Sequence, residues 1–93
     1  MKKIYTTIEY TDGAVHENVR IYAADKIAAA KTARLNDIPW VEGPEAHSLL
    51  AYQAARRAGI TSADNYDDWM ATVADFELST EDTHTEDPTT PTA

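Results

Sequence analysis

The sequence contains no cysteine and no long apolar segment. Without cysteine, disulfides, thiolate nucleophiles and thiolate metal sites are all excluded. Without an apolar run of about 18 residues, the sequence predicts no membrane span. The alternating residues after Met1 do not form the apolar block of a signal peptide. Three glycines occur in the whole chain, and none belongs to a glycine-rich phosphate loop. We therefore expect a soluble intracellular protein.

The negative charge is concentrated in the C-terminal third of the chain. The net charge is −8; residues 1–60 contain all eight bases and seven acids, whereas residues 61–93 contain nine acids and no base. The bases are spread over a predicted strand, two predicted helices and the N-terminus, whereas binding to a phosphate backbone needs clustered Lys and Arg. We therefore expect no direct binding to nucleic acid.

An alanine-rich helix is predicted over Pro44–Gly59. Proline suits the first position of a helix, and glycine can adopt the left-handed turn that ends one. One broad arc of this helix is apolar and comprises Ala46, Leu50, Ala51, Ala54, Ala55 and Ala58. Leu49 and Tyr52 lie among polar residues on the opposite side. A helix with two apolar sides is either central in its fold or covered by a partner, and we favour the central position.

A β-hairpin is predicted over residues 2–22, because apolar and polar residues alternate on both sides of Asp12-Gly13. His16 then neighbours Glu9 across the strands, an ordinary structural role that we favour over catalysis or ligand binding. Glu17 falls on the apolar side and requires a bulge or an edge position. The predicted cross-strand pairs are Ile4–Ile21, Thr6–Val19, Tyr10–Val15 and Glu9–His16.

Two further helices flank the central one. The first runs from about Ala24 to Asn36, and Ile27, Ala28 and Leu35 are predicted as its buried face, with Lys31 extending past it. The connector that follows contains Trp40, which we interpret as a core residue in preference to a binding residue. The third helix begins after the capping residues 61–64 and should pack against the alanines of the central helix. Its apolar stripe has helical spacing and comprises Tyr66, Trp69, Met70, Val73 and Phe76.

The predicted fold is therefore α+β, with an N-terminal hairpin followed by three helices in a single domain over residues 1–77. Residues 78–93 are rich in threonine, proline and acids, and after Leu78 the only apolar residue is the last alanine. Such a composition cannot support a core, and we predict a disordered acidic tail.

No constellation of residues predicts catalysis. The histidines lie in a predicted strand, in the central helix and in the tail (His16, His47 and His84), and none of them forms a zinc-binding pair. The acids at the start of the third helix, Asp64, Asp67 and Asp68, lack the glycine and the terminal glutamate of a calcium loop. His47 and Ser48 are adjacent and point about 100° apart on a helix, a poor geometry for a base and a nucleophile. We expect no enzyme activity, no cofactor and no metal.

The order of these features resembles that of the tail assembly chaperones of tailed phages and prophages of actinobacteria. The resemblance covers the whole chain and rests on the succession of TIEYTDGAVHENVRIY, DKIAAAKTARLNDIPW, SLLAYQAARRAG, NYDDWMATVADFEL and DPTTPTA.

The resemblance implies a function in viral morphogenesis. Proteins of this family are small and acidic, act in the host cytoplasm and are absent from the mature virion. They bind the long tape measure protein and keep it soluble while the tail tube polymerises around it. In many such phages a ribosomal frameshift yields a longer form with the same N-terminal domain, and this chain would be the short form. The longer form and further copies of the chain are additional candidate partners.

The predicted binding surface is the second apolar side of the central helix. Leu49 and Tyr52 would supply apolar contacts, and Arg56 and Arg57 polar contacts at the rim; Trp40 completes the candidate set. Two alternative functions remain open from the sequence. One is an acidic protein that inhibits a host nucleic-acid-binding enzyme by imitating the charge of DNA, and the other is a structural connector of the virion.

Overall fold

The computed structural model describes residues 2–82, which form one three-stranded antiparallel sheet and three helices. In chain order the elements are β1 (Lys2–Tyr10), β2 (Val15–Ile21), α1 (Ala23–Leu35), α2 (Pro44–Ala58), α3 (Tyr66–Met70) and β3 (Val73–Asp82). The strands lie in the order β2–β1–β3, so β1 is central and pairs with both neighbours.

The predicted succession of a hairpin and three helices is wrong in its last part. The third helix ends at Met70, and the chain continues as β3, which pairs with β1 along its whole length. Val73 and Phe76 fit the helical spacing that begins at Trp69, but the sequence from Phe76 onward also alternates with a period of two, as strands do. Pairing with β1 satisfies the hydrogen-bonding groups of one edge of that strand, so the strand pattern prevails.

β3 extends beyond the predicted domain boundary at residue 77. Residues 78–82, expected in the disordered tail, pair with residues 2–6 of β1 instead. The remainder of the predicted tail, residues 83–93, lies outside the described residues.

The hairpin forms with a bulge that shifts its register near the turn. The pairs Ile4–Ile21 and Thr6–Val19 are confirmed, whereas Ile8, not Glu9, is the partner of His16. Glu9 in turn lies opposite Val15, so the predicted Tyr10–Val15 pair is also wrong. The irregularity falls between Thr6 and Ile8, where Asn18 on β2 has a φ of 56°. β2 is also an edge strand, and Glu17 is exposed there.

The central position of α2 is confirmed, because α2 contacts every other helix and strand of the described chain. The helix begins at Pro44 and ends before Gly59, whose φ of 76° is the left-handed conformation expected there. Its buried residues cover most of its circumference and comprise Ala46, Ser48, Leu49, Ala51, Tyr52, Gln53, Ala54 and Ala55. Since half of them are alanines, the neighbouring elements can approach the helix axis closely at those positions.

The main core lies between α2, α3 and the sheet. Trp69 is fully buried beside Ile8 and the alanines of α2, so the predicted packing of this residue on the alanine face is confirmed. Its Nε1–H donates to the hydroxyl of Tyr10 at 3.1 Å, and that hydroxyl donates to the carbonyl of Ile60 at 3.0 Å. The polar atoms of this aromatic pair are therefore satisfied inside the core.

Candidate partner-binding surface

Leu49 and Tyr52, the predicted apolar contacts for a partner, are buried in the fold. Leu49 is 0 % exposed and packs against Ala29 and Ala33 of α1. Tyr52 is 2 % exposed, and its ring lies 5.5 Å from that of Trp69. The expected exposure of these two residues is wrong, because α1 and α3 cover the second apolar side of α2. Neither side chain can reach a partner in this conformation.

Arg57 joins three elements of the fold. Its Nε–H donates to both carboxylate oxygens of the buried Asp25 at 3.1 Å, and its Nη2 donates to the backbone carbonyl of Arg20 at 2.6 Å. The guanidinium carbon also lies 4.4 Å from the ring centre of Tyr22. Asp25 in turn accepts from the backbone N–H of Tyr22 at 2.9 Å, which completes the start of α1. These contacts are internal and give Arg57 a structural role in the fold.

Arg56 and Trp40, the other two predicted contacts, are exposed. The guanidinium carbon of Arg56 lies 5.6 Å from the ring centre of Tyr52. Arg56 also lines a cavity of about 420 Å³ together with Asp64 and Asp67. Trp40 lies in the connector between α1 and α2, about half exposed, so its interpretation as a core residue is wrong. The predicted set is therefore divided between the interior and separate parts of the surface.

The structure exposes large apolar side chains on α1 and in the connector that follows it. Ile27 is 63 % exposed and Leu35 is 84 % exposed on α1, and Val41 is exposed in the connector beside Trp40. The predicted buried face of α1 is therefore wrong. The buried residues of this helix are instead Asp25, Ala29 and Ala33, four residues apart.

The helical pattern of α1 fits this orientation as well as the predicted one. Ala29 and Ala33 are four residues apart, and so are Ile27 and Lys31, and Lys31 and Leu35. Either row of residues can therefore form one face of an amphipathic helix. The choice of the larger side chains for the core follows the usual hydrophobic ranking. The side of α2 that α1 contacts carries Leu49, Gln53 and Arg57. The alanine face prevails because it packs on Leu49 and brings Thr32 to Gln53 and Asp25 to Arg57.

We define the α1 outer face as Ala23, Lys26, Ile27, Ala30, Lys31, Arg34 and Leu35. At about 100° per residue these side chains span about half of the helix surface, from Lys26 beside Ala33 at one edge to Leu35 at the other, with Ile27 and Lys31 opposite Ala29. All three charges on this face are positive, and the only acid of α1 is the buried Asp25. The face is thus both apolar and basic in a chain whose net charge is −8.

The histidines of the described chain have structural neighbours. The ring of His16 lies edge-on to Tyr10, with ring centres 5.7 Å apart, and Nε2 of His47 lies 2.6 Å from a carboxylate oxygen of Glu42. Among residues 2–82, no three His, Asp or Glu side chains come close enough together to hold a metal ion. No helix in that part of the chain combines the length and the apolar character that a membrane span requires.

The fold and this surface define a small α+β domain with one three-stranded antiparallel sheet, two long helices and a helix face that is both basic and apolar. No family model, no curated protein and no solved structure matches the chain.

Proposed function

We propose that this protein is a phage tail assembly chaperone that binds the tape measure protein and keeps it soluble while the tail tube assembles. The observation that carries the proposal is the exposure of four large apolar side chains on one small acidic domain: Ile27, Leu35, Trp40 and Val41. A domain that buries alanines and exposes larger residues has apolar surface available for a partner. The resemblance of the sequence to the chaperone family supplies the identity of that partner.

The charge of the chain suits this function. A tape measure protein is a long, largely helical chain whose apolar faces would aggregate before tube subunits cover them. A bound domain can cover such faces with its own apolar side chains, while its net charge of −8 keeps the complexes apart in solution. The function requires neither catalysis nor a cofactor, and it places the protein in the host cytoplasm.

The test is coexpression with the tape measure protein encoded by the same phage or prophage. We expect the tape measure protein to be soluble and to copurify with this chain, and to be insoluble when expressed alone. A tape measure protein that is equally soluble without this chain would contradict the proposal. Purified particles should lack this chain, and its presence there would favour a structural connector.

A second candidate function is supported by an acidic row on the open side of the sheet. Glu9 lies directly opposite Asp75, and Glu77 and Glu81 lie on the same side of β3 with Ser79 between them; all four acids are exposed. Acids arranged over a folded surface are what an inhibitor that imitates the charge of DNA requires.

This second candidate is tested by neutralising the row. An inhibitor should block a host DNA-binding enzyme in a DNA-competition assay, and the combined change Asp75→Asn, Glu77→Gln and Glu81→Gln should abolish the block. A chaperone with the same three changes should still retain the tape measure protein in solution. The two candidates therefore differ in which activity these substitutions remove.

A further inference from the structure

We propose that the α1 outer face binds an acidic amphipathic helix, with Ile27 and Leu35 as the apolar anchors and Lys26, Lys31 and Arg34 as the charged contacts. The inference deepens the proposed function, because it rests on a helical partner and assigns the surface that this partner occupies. It moves the binding site from α2, where the sequence placed it, to the exposed side of α1.

The shape of the face suits a helix. Ile27 and Leu35 lie eight residues apart, or about 12 Å along the axis. Ala23 and Ala30 lie beside Ile27 on this face, and such small side chains let a second helix approach closely. The opposite side of α1 already packs in this way, since Ala29 and Ala33 contact Leu49 of α2. α1 would then lie between two helices, one from its own chain and one from the partner.

The charge of the face selects the partner. Lys26, Lys31 and Arg34 are exposed, and no acid lies beside them on α1. A partner helix with Glu or Asp flanking its apolar stripe would face these bases, and opposite charges across an interface favour association and register. Two copies of this chain paired through the same face would instead bring six bases together, which disfavours a symmetric dimer there.

The probe is a synthetic amphipathic helix, a leucine stripe flanked by glutamates, labelled for fluorescence anisotropy. A matched peptide has lysine in place of every glutamate. We expect the glutamate peptide to bind and the lysine peptide to bind about tenfold more weakly or not at all. Added salt should weaken binding of the glutamate peptide, since the contacts are exposed charges.

The variants separate this face from the rest of the surface. Ile27→Gln with Leu35→Gln keeps good helix formers on α1 and should weaken binding about tenfold or more. Val15→Gln is the matched control, because Val15 is a half-exposed apolar residue on β2, and it should bind as the wild type does. Lys31→Glu with Arg34→Glu should reverse the preference, so that the lysine peptide binds better. Unchanged thermal unfolding shows that each variant is folded.

Several results would overturn the inference. These are equal binding of both peptides, no binding of either, or full binding by the Ile27→Gln, Leu35→Gln variant. The inference also fails if the wild type binds neither peptide but does bind phosphatidylglycerol vesicles, or forms a concentration-dependent oligomer, and the Ile27→Gln, Leu35→Gln variant does not. In those two cases the face serves a membrane or a second copy.

The outcome is separable from that of the proposed function. If the wild type and the Ile27→Gln, Leu35→Gln variant keep the tape measure protein soluble equally well, the chaperone function stands and the α1 site is wrong. If the glutamate peptide binds through α1 but the wild type does not solubilise the tape measure protein, the site stands and the chaperone function is wrong.

Discussion

Replacing Arg57 by alanine should destabilise the fold strongly, because it removes the charged partner of a buried carboxylate. Asp25 is 3 % exposed and accepts hydrogen bonds from Arg57 and from the backbone of Tyr22. After the change, the backbone N–H of Tyr22 is the one donor of these that still bonds to the Asp25 carboxylate. The Arg20 carbonyl also loses its bond from the guanidinium.

The expected loss follows from the exposure of the two partners. Breaking a buried ion pair by removing one partner costs about 3–5 kcal/mol. The Arg57 side chain is 38 % exposed, so water can reach the carboxylate once the guanidinium is gone. We therefore expect a loss of about 2–3 kcal/mol. A domain of this size has a free energy of unfolding of about 4–12 kcal/mol, so the loss is a large share of it.

The assay is urea unfolding monitored by circular dichroism and tryptophan fluorescence. Arg56→Ala is the matched control, since Arg56 is the adjacent arginine and is exposed, and its guanidinium carbon lies 5.6 Å from the ring centre of Tyr52. Removing the Arg56 side chain should lower the free energy of unfolding by less than about 1 kcal/mol. The double change Asp25→Asn, Arg57→Ala should recover about 1 kcal/mol, because a neutral amide is less costly to bury than an unpaired charge.

The reasoning is refuted if Arg57→Ala and Arg56→Ala destabilise the fold equally. It is also refuted if the double variant loses as much free energy of unfolding as the Asp25→Asn and Arg57→Ala single variants lose together. Two residues that form one pair must instead show a coupling energy.

Two further predictions concern the core and the third strand. Tyr10→Phe should lower stability by about 1–3 kcal/mol in urea unfolding, because the indole of Trp69 and the carbonyl of Ile60 both lose a buried partner; no change would contradict the bonds described here. A chain ended after residue 82 should unfold at the temperature of the full chain, whereas one ended after residue 74 should lose cooperative unfolding because β1 loses β3. Equal melting temperatures for both truncations would contradict this role of β3.

Local signals in the sequence predicted the individual elements better than their arrangement. The start of α2 at Pro44 and its end before Gly59 follow from the backbone preferences of proline and glycine, which act without tertiary contacts. The hairpin and its two pairs far from the turn, Ile4–Ile21 and Thr6–Val19, follow from alternation on both sides of Asp12-Gly13. The register near the turn depends on the bulge at Asn18, which Glu17 on the apolar side indicated without fixing its position.

The third strand was missed because two periods overlap in residues 69–80. Trp69, Val73 and Phe76 fit a helix, whereas Phe76, Leu78 and Thr80 fit a strand. The free edge of β1 decides between the two patterns, and this is a long-range contact that neither segment reveals alone. The same contact brings Lys3 opposite Glu81, so the basic start of β1 lies beside acidic residues of β3 in the sheet.

The missed candidate surface has a related cause, the rotation of α1 about its own axis. Turning α1 by roughly 160° would bury Ile27 in place of Ala29, and burying two large apolar side chains is worth about 3–6 kcal/mol. The observed orientation instead buries Asp25 against Arg57.

A second polar contact on the same side of α1 stabilises the observed orientation of the helix. The amide of Gln53 donates to the hydroxyl of Thr32 at 3.0 Å, within the interface between α1 and α2. Turning the helix would break this bond and would leave the arginine without its carboxylate. Polar contacts therefore fix an orientation that hydrophobic burial alone would not select, and that orientation exposes Ile27 and Leu35. The residues that stabilise the fold are thus the same ones that present the proposed binding face.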